Sequence, residues 1–169
     1  MQGGETAGIE RLLAEGVSAD AKGKDAKWKD CPALYLAAGG GHLDALKLLR
    51  RHGANLDATN SPGGTALMYA ARHGKADCAE ALLEWGADKD AANIHGWTAL
   101  HFAAMRGQLE CARLLVRARA DRAKKNSFGE TALELAGRLG KAEVAALLEQ
   151  ADADVSESPL ALSLIHISE

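Results

Sequence analysis

Threonine recurs at positions 65, 98 and 131, a spacing of 33 residues, and Pro32 stands one period earlier. Leu34, Leu67, Leu100 and Leu133 keep the same phase, as do Ala37, Ala70, Ala103 and Ala136. Gly41, Gly74, Gly107 and Gly140 follow, then Leu49, Leu82, Leu115 and Leu148, then Ala54, Ala87, Ala120 and Ala153. Six columns held in phase through four copies are not a chance pattern. A period of this length describes units too small to bury an apolar face alone, so neighbouring units must stack and supply one another's core.

The columns make physical sense within each unit. Thr65, Thr98 and Thr131 suit helix N-caps, and Thr131 with Glu134 fits a capping box. The inner helix that follows, Ala99 to Met105 for example, is short and alanine-rich, so neighbouring inner helices can approach closely. Gly107 breaks it, and an outer helix runs from about Leu109 to Ala118. Asp44, Asp77, Glu110 and Glu143 fall in the first turns of the outer helices, where the helix dipole favours negative charge. Gly53 and Gly86 are placed as left-handed C-caps, and a polar stretch such as ADKDAANIHG returns as an extended finger.

With these stretches in view, the chain resembles the ankyrin-repeat family, whose unit is a β-turn with two antiparallel helices. The matching segments are DCPALYLAAGGGHLDALKLLRRHGAN, GGTALMYAARHGKADCAEALLEWGAD, GWTALHFAAMRGQLECARLLVRARAD and GETALELAGRLGKAEVAALLEQADAD. The resemblance implies an all-α solenoid of stacked helix-turn-helix units with β-hairpin-like fingers. An N-terminal capping helix (GIERLLAEG) and long finger would occupy 1–29, four repeats 30–62, 63–95, 96–128 and 129–155, and a tail 156–169. The departures are specific. Only His101 keeps the family histidine, which in that family hydrogen-bonds neighbouring loops. Arg119 takes the glycine position of the third repeat, at an expected cost of about 1 kcal/mol if held at positive φ, and Asp152 takes it, at lower cost, in the fourth.

Composition narrows the function classes. Charged residues make up 25% and hydrophobic ones 47%, as in globular domains, and a net charge of −3 does not favour nucleic acid or membrane as default partner. The first residues, MQGGETAGIE, lack the pattern of a secretory signal, no apolar run spans a bilayer, and three cysteines do not make a disulfide framework. The expected setting is intracellular, cytoplasm or nucleus. His95, His101 and Cys111 lie close in sequence but on a finger tip, an inner helix and an outer helix, so no zinc site is expected. Cys78 and Cys111 occupy one column of adjacent repeats and are expected as reduced core thiols. With no nucleophile elbow, phosphate loop or paired carboxylates, the reading is a non-enzyme without cofactor.

Carried over residue by residue, the family's concave partner surface falls on Arg72, His73, Ile94, His95, Trp97, Met105, Arg106, Phe128, Glu130 and Arg138, with Ser127 and Leu139 alongside. Cys31, Gly64 and Glu130 hold the Trp97 column elsewhere, so the architecture does not demand an aromatic there. Ile94, Trp97, Met105 and Phe128 are expected as an exposed apolar strip flanked by arginines, suited to a protein partner. The competing reading of Trp97 is a brace for its finger. Lysines 22, 24, 27 and 29 around Trp28, and the segment RARADRAKKN, make two fingers basic. They read as solvated edges, or else as sites for phosphoinositide or nucleic acid. The closing LSLIHISE (162–169) is what the codons CTG TCT CTT ATA CAC ATC TCC GAG would encode, a string that resembles a transposase sequencing adapter read in frame. On that reading the natural chain continues differently after Ala161, and the repeats could be the targeting part of a larger enzyme.

Overall fold

The computed structural model describes residues 14–22 and 30–156, with side chains described through residue 153. Most of GIERLLAEG, the stretch holding Lys24, Lys27, Trp28 and Lys29, and the closing LSLIHISE lie outside the described residues. Eight helices run among the described residues: α1 (Ala33–Gly40), α2 (Leu43–Arg51), α3 (Ala66–Arg72), α4 (Ala76–Glu84), α5 (Ala99–Arg106), α6 (Leu109–Arg117), α7 (Ala132–Arg138) and α8 (Ala142–Ser156). Inner helices α1, α3, α5 and α7 pack in series, outer helices α2, α4, α6 and α8 form the second row, and each inner helix packs on its own outer one.

The core follows the sequence columns. Ala38, Ala70, Ala71, Ala103, Ala104 and Ala136 are fully buried, because a methyl is all that closely approaching inner helices leave room for. Leu49, Leu82, Leu115 and Leu148 fill the space between the rows. Leu34, Leu67 and Leu100 are buried as well, whereas Leu133, in the last described unit, is only half-buried, with no further inner helix against it among the described residues. No helix among the described residues is long and apolar enough to cross a membrane.

Capping sets where the inner helices start. Thr65 Oγ1 accepts from the Met68 amide at 3.3 Å, and Thr131 and Glu134 close a reciprocal capping box with bonds of 3.2 and 2.7 Å. Pro32 has no such side-chain bond, but its ring holds φ at −60°, ready for helix entry. At the outer-helix ends Gly53 and Gly86 have φ of 79° and 88°, and Arg119 in the same column is held at 60°. The left-handed turn is therefore a property of the architecture, which Arg119 is made to obey.

The fourth repeat departs from expectation. Asp152 does not turn left-handed; it lies inside α8, which continues to Ser156. The preceding finger differs at the matching place. Asp57 Oδ1 accepts from the Asp88 amide at 2.8 Å, and Asp90 Oδ1 from the Asp121 amide at 2.7 Å, so each aspartate fixes the turn of the next unit. Ala123 occupies the next place in that column and has no oxygen to offer. Arg122 instead binds the Asp152 carboxylate at 2.6 Å and the Ala151 carbonyl at 3.3 Å, contacts compatible with continued helix.

Candidate partner-binding surface

Three described finger tips are hydrogen-bonded turns, each organised by an asparagine. Asn93 Oδ1 accepts from the amides of His95 (2.9 Å) and Trp97 (3.0 Å), while the Asn93 amide donates to the Trp97 carbonyl at 3.0 Å. Asn126 repeats this with Phe128 and Glu130, and Asn60 Oδ1 accepts from the Gly64 amide at 2.7 Å. Adjacent tips are tied together: the Ile94 amide donates to the Pro62 carbonyl at 3.1 Å and the Ser127 amide to the His95 carbonyl at 2.9 Å. Gly96 is required twice over. Its φ is 71°, and a Cβ there would come within 3.2 Å of the Asn126 backbone in the next finger. The 33-residue recurrence of Asn60, Asn93 and Asn126 is legible in the chain, but it belongs to no helix and reasoning from helix periodicity passes over it.

On this rigid edge, Ile94 and Phe128 project with 70% and 76% of their surfaces exposed. Trp97 and Met105 do not complete an exposed strip; both are half-buried. The indole rests against Phe102, ring centroids 5.4 Å apart, and against His101 at 6.0 Å. Trp97 thus presents one part to solvent and spends the rest on its own inner helix. Arg106, His73, His95 and Arg138 are exposed, and Arg72 is half-buried. Arg138 forms a two-pronged ion pair with Glu130, one arm at 3.0 Å. That guanidinium holds the Glu130 carboxyl below the usual carboxylate range.

His101 is 1% exposed and joins two units. Its Nδ1 accepts from the Thr98 amide at 3.2 Å and stands 2.9 Å from Thr98 Oγ1. The proton therefore sits on Nε2, which donates to the Glu130 carbonyl at 3.0 Å. Burial lowers its pKa against the opposing pull of that carbonyl, so the ring is held neutral. This is the loop-bonding role that the resemblance implies.

His95, His101 and Cys111 stand on three different elements. Among the described residues no group of three His, Cys, Asp or Glu side chains is placed to hold a metal ion. Cys78 and Cys111 are free and buried, and burial pushes the Cys111 thiol up to about 11. Three of the described finger cations are engaged locally. Lys22 donates to the Thr59 carbonyl at 3.0 Å, Lys124 to the Asp90 carbonyl at 2.6 Å, and Arg122 reaches Asp152.

Comparison with known proteins gives one family. No curated protein matches the chain. The family model described as ankyrin repeats (3 copies) matches residues 1–93 and again 88–158. Paired helices, threonine caps and tip-to-tip fingers agree with that match, and the chain belongs to the ankyrin-repeat family.

Proposed function

We propose that this chain binds a protein partner through its finger tips and inner-helix ends, on the face carrying Ile94, Phe128, Trp97, Arg106 and Arg138. Ankyrin repeats in general are protein-interaction modules and typically not catalytic. The observation that carries the reading is the exposure of Ile94 and Phe128 on tips whose backbones are hydrogen-bonded both internally and to each other. Large apolar side chains held outward cost solvation without stabilising the fold, and a preordered edge loses little entropy on binding. Trp97 and Met105 supply the flanking apolar floor, with Arg72, His73, His95 and Glu130 around it.

The test is a double variant, Ile94→Ser with Phe128→Ser. Its unfolding free energy should stay within about 0.5 kcal/mol of the parent, because both side chains are exposed. Partner proteins retained on the parent should be lost from the variant. Undiminished retention would place the docking surface elsewhere.

A further inference from the structure

The first two described units carry a cluster with no counterpart in the others. Tyr35 stands in the column of His101, and Tyr69 in that of Phe102. Their rings stack with centroids 4.1 Å apart and planes 10° from parallel, and Tyr69 meets His73 edge-on at 4.5 Å. Two glycines make room. Tyr69 lies over Gly39, where any Cβ would collide with its ring, and a Cβ on Gly64 would stand 3.3 Å from Tyr35 Cε2. In the same columns the other units have Arg72, Met105 and Arg138, and Cys31, Trp97 and Glu130.

Positive charge gathers beside this stack, and among the described residues no salt bridge to an acid is seen there. Arg72 Nε is shut off from solvent with no hydrogen-bond partner, although a buried N–H left unpaired is costly. His73, lowered first by burial, feels three further charges, Arg72, Arg106 and Lys75, and all are cationic. Glu130 is committed to Arg138, and Glu134 caps α7 through Thr131.

We propose that the segment docking on this face is an acidic protein segment, whose carboxylates are received by Arg72, His73 and Arg106 against the Tyr35–Tyr69 wall. The proposal rests on the reading of the finger and inner-helix face as the docking surface and adds the chemistry of its occupant. A protein is favoured over nucleic acid because the cationic group is short and lies beside aromatic and apolar side chains. Lys22 and Lys124 are engaged with neighbouring fingers and Arg122 with Asp152 on α8, so these three do not extend it into a stripe that could track a phosphate backbone.

Short random peptides displayed on phage and selected on the folded chain provide the probe. Selected sequences should be enriched in Asp and Glu over the input. Their affinity should fall about tenfold or more in the His73→Glu/Arg106→Glu variant, since removing charge complementarity slows association and speeds release. Both positions are exposed, so circular dichroism should confirm an unchanged fold. Enriched peptides without excess acid that still fail on the Ile94→Ser/Phe128→Ser variant overturn the acidic chemistry and leave the docking face standing. Peptides indifferent to both variants, or a selection that enriches nothing, overturn both. A single-stranded RNA oligonucleotide, or a phosphoinositide-containing vesicle, that binds more tightly than the selected peptides and loses affinity in the charge-reversed variant overturns a protein occupant in favour of a phosphate one.

Discussion

Nε2 of His101 donates to the main-chain carbonyl of Glu130, 29 residues further along, and so fastens the third inner helix to the fourth finger. The same Glu130 turns its carboxylate to Arg138 on α7. One residue of the fourth finger is thus held from below by the preceding unit and from above by its own. The link is internal to the stack, yet it sets the position of the tip that carries Phe128.

Replacing His101 by alanine should cost roughly 1–3 kcal/mol, because the Glu130 carbonyl loses its donor and the Thr98 amide its acceptor in a buried place. Urea titration followed by circular dichroism measures it. A loss below about 0.5 kcal/mol would mean that water takes over both bonds.

The same histidine makes stability pH-dependent. Its folded pKa lies below the ordinary value of 6.5, so at lower pH the unfolded chain takes up a proton that the folded chain refuses. This contribution is complete above about pH 6.5 and is lost as pH falls through that value toward the folded pKa. His73, lowered by burial and by its cationic neighbours, acts in the same direction. Glu130 and Glu134 are lowered from 4.5, so the stability they add is lost in a separate, more acid window. Unfolding free energies at pH 7.5 and 5.5 should differ less in His101→Gln than in the parent.

Arg119→Gly should raise stability by roughly 0.5–1 kcal/mol, the relief of a left-handed non-glycine residue less the entropy glycine gains when unfolded. Gly86→Ala, in the same column, should move it the other way. Equal effects of both would show that the turn relaxes freely.

Gly39→Ala should destabilise by about 1–3 kcal/mol, since the added methyl meets the Tyr69 ring and drives it off Tyr35. Near-ultraviolet circular dichroism should lose the signature of the tyrosine pair. An unchanged spectrum would mean that the backbone, not the ring, yields.

Trp97→Ala separates anchoring from bracing. Removing a ring that rests on Phe102 and His101 should cost some stability, but the loss of partner affinity, about 1–3 kcal/mol, should exceed it. Equal losses in both measurements would make the indole a brace alone.

The fold was largely legible because most helix boundaries here have a local cause written at a fixed interval. Threonine caps, acidic first turns and turn glycines act within a few residues, so their 33-residue recurrence determined the units and the order of the stack. Even the strained turn at Arg119 followed from the column it occupies. The continuation of α8 through Asp152 did not, because the contact made there, Arg122 to the Asp152 carboxylate, joins residues of different units. Exposure at the surface was also beyond sequence reasoning. Ile94, Phe128 and Trp97 read alike as apolar residues on or beside finger tips, but only packing decided that Trp97 leans on Phe102 while the other two project. Column identity likewise did not reveal that Tyr35 and Tyr69, each unremarkable within its own unit, stack over Gly39 beside Arg72. A repeated sequence dictates what each unit does alone, and side-chain contacts between units exist only once the stack is formed.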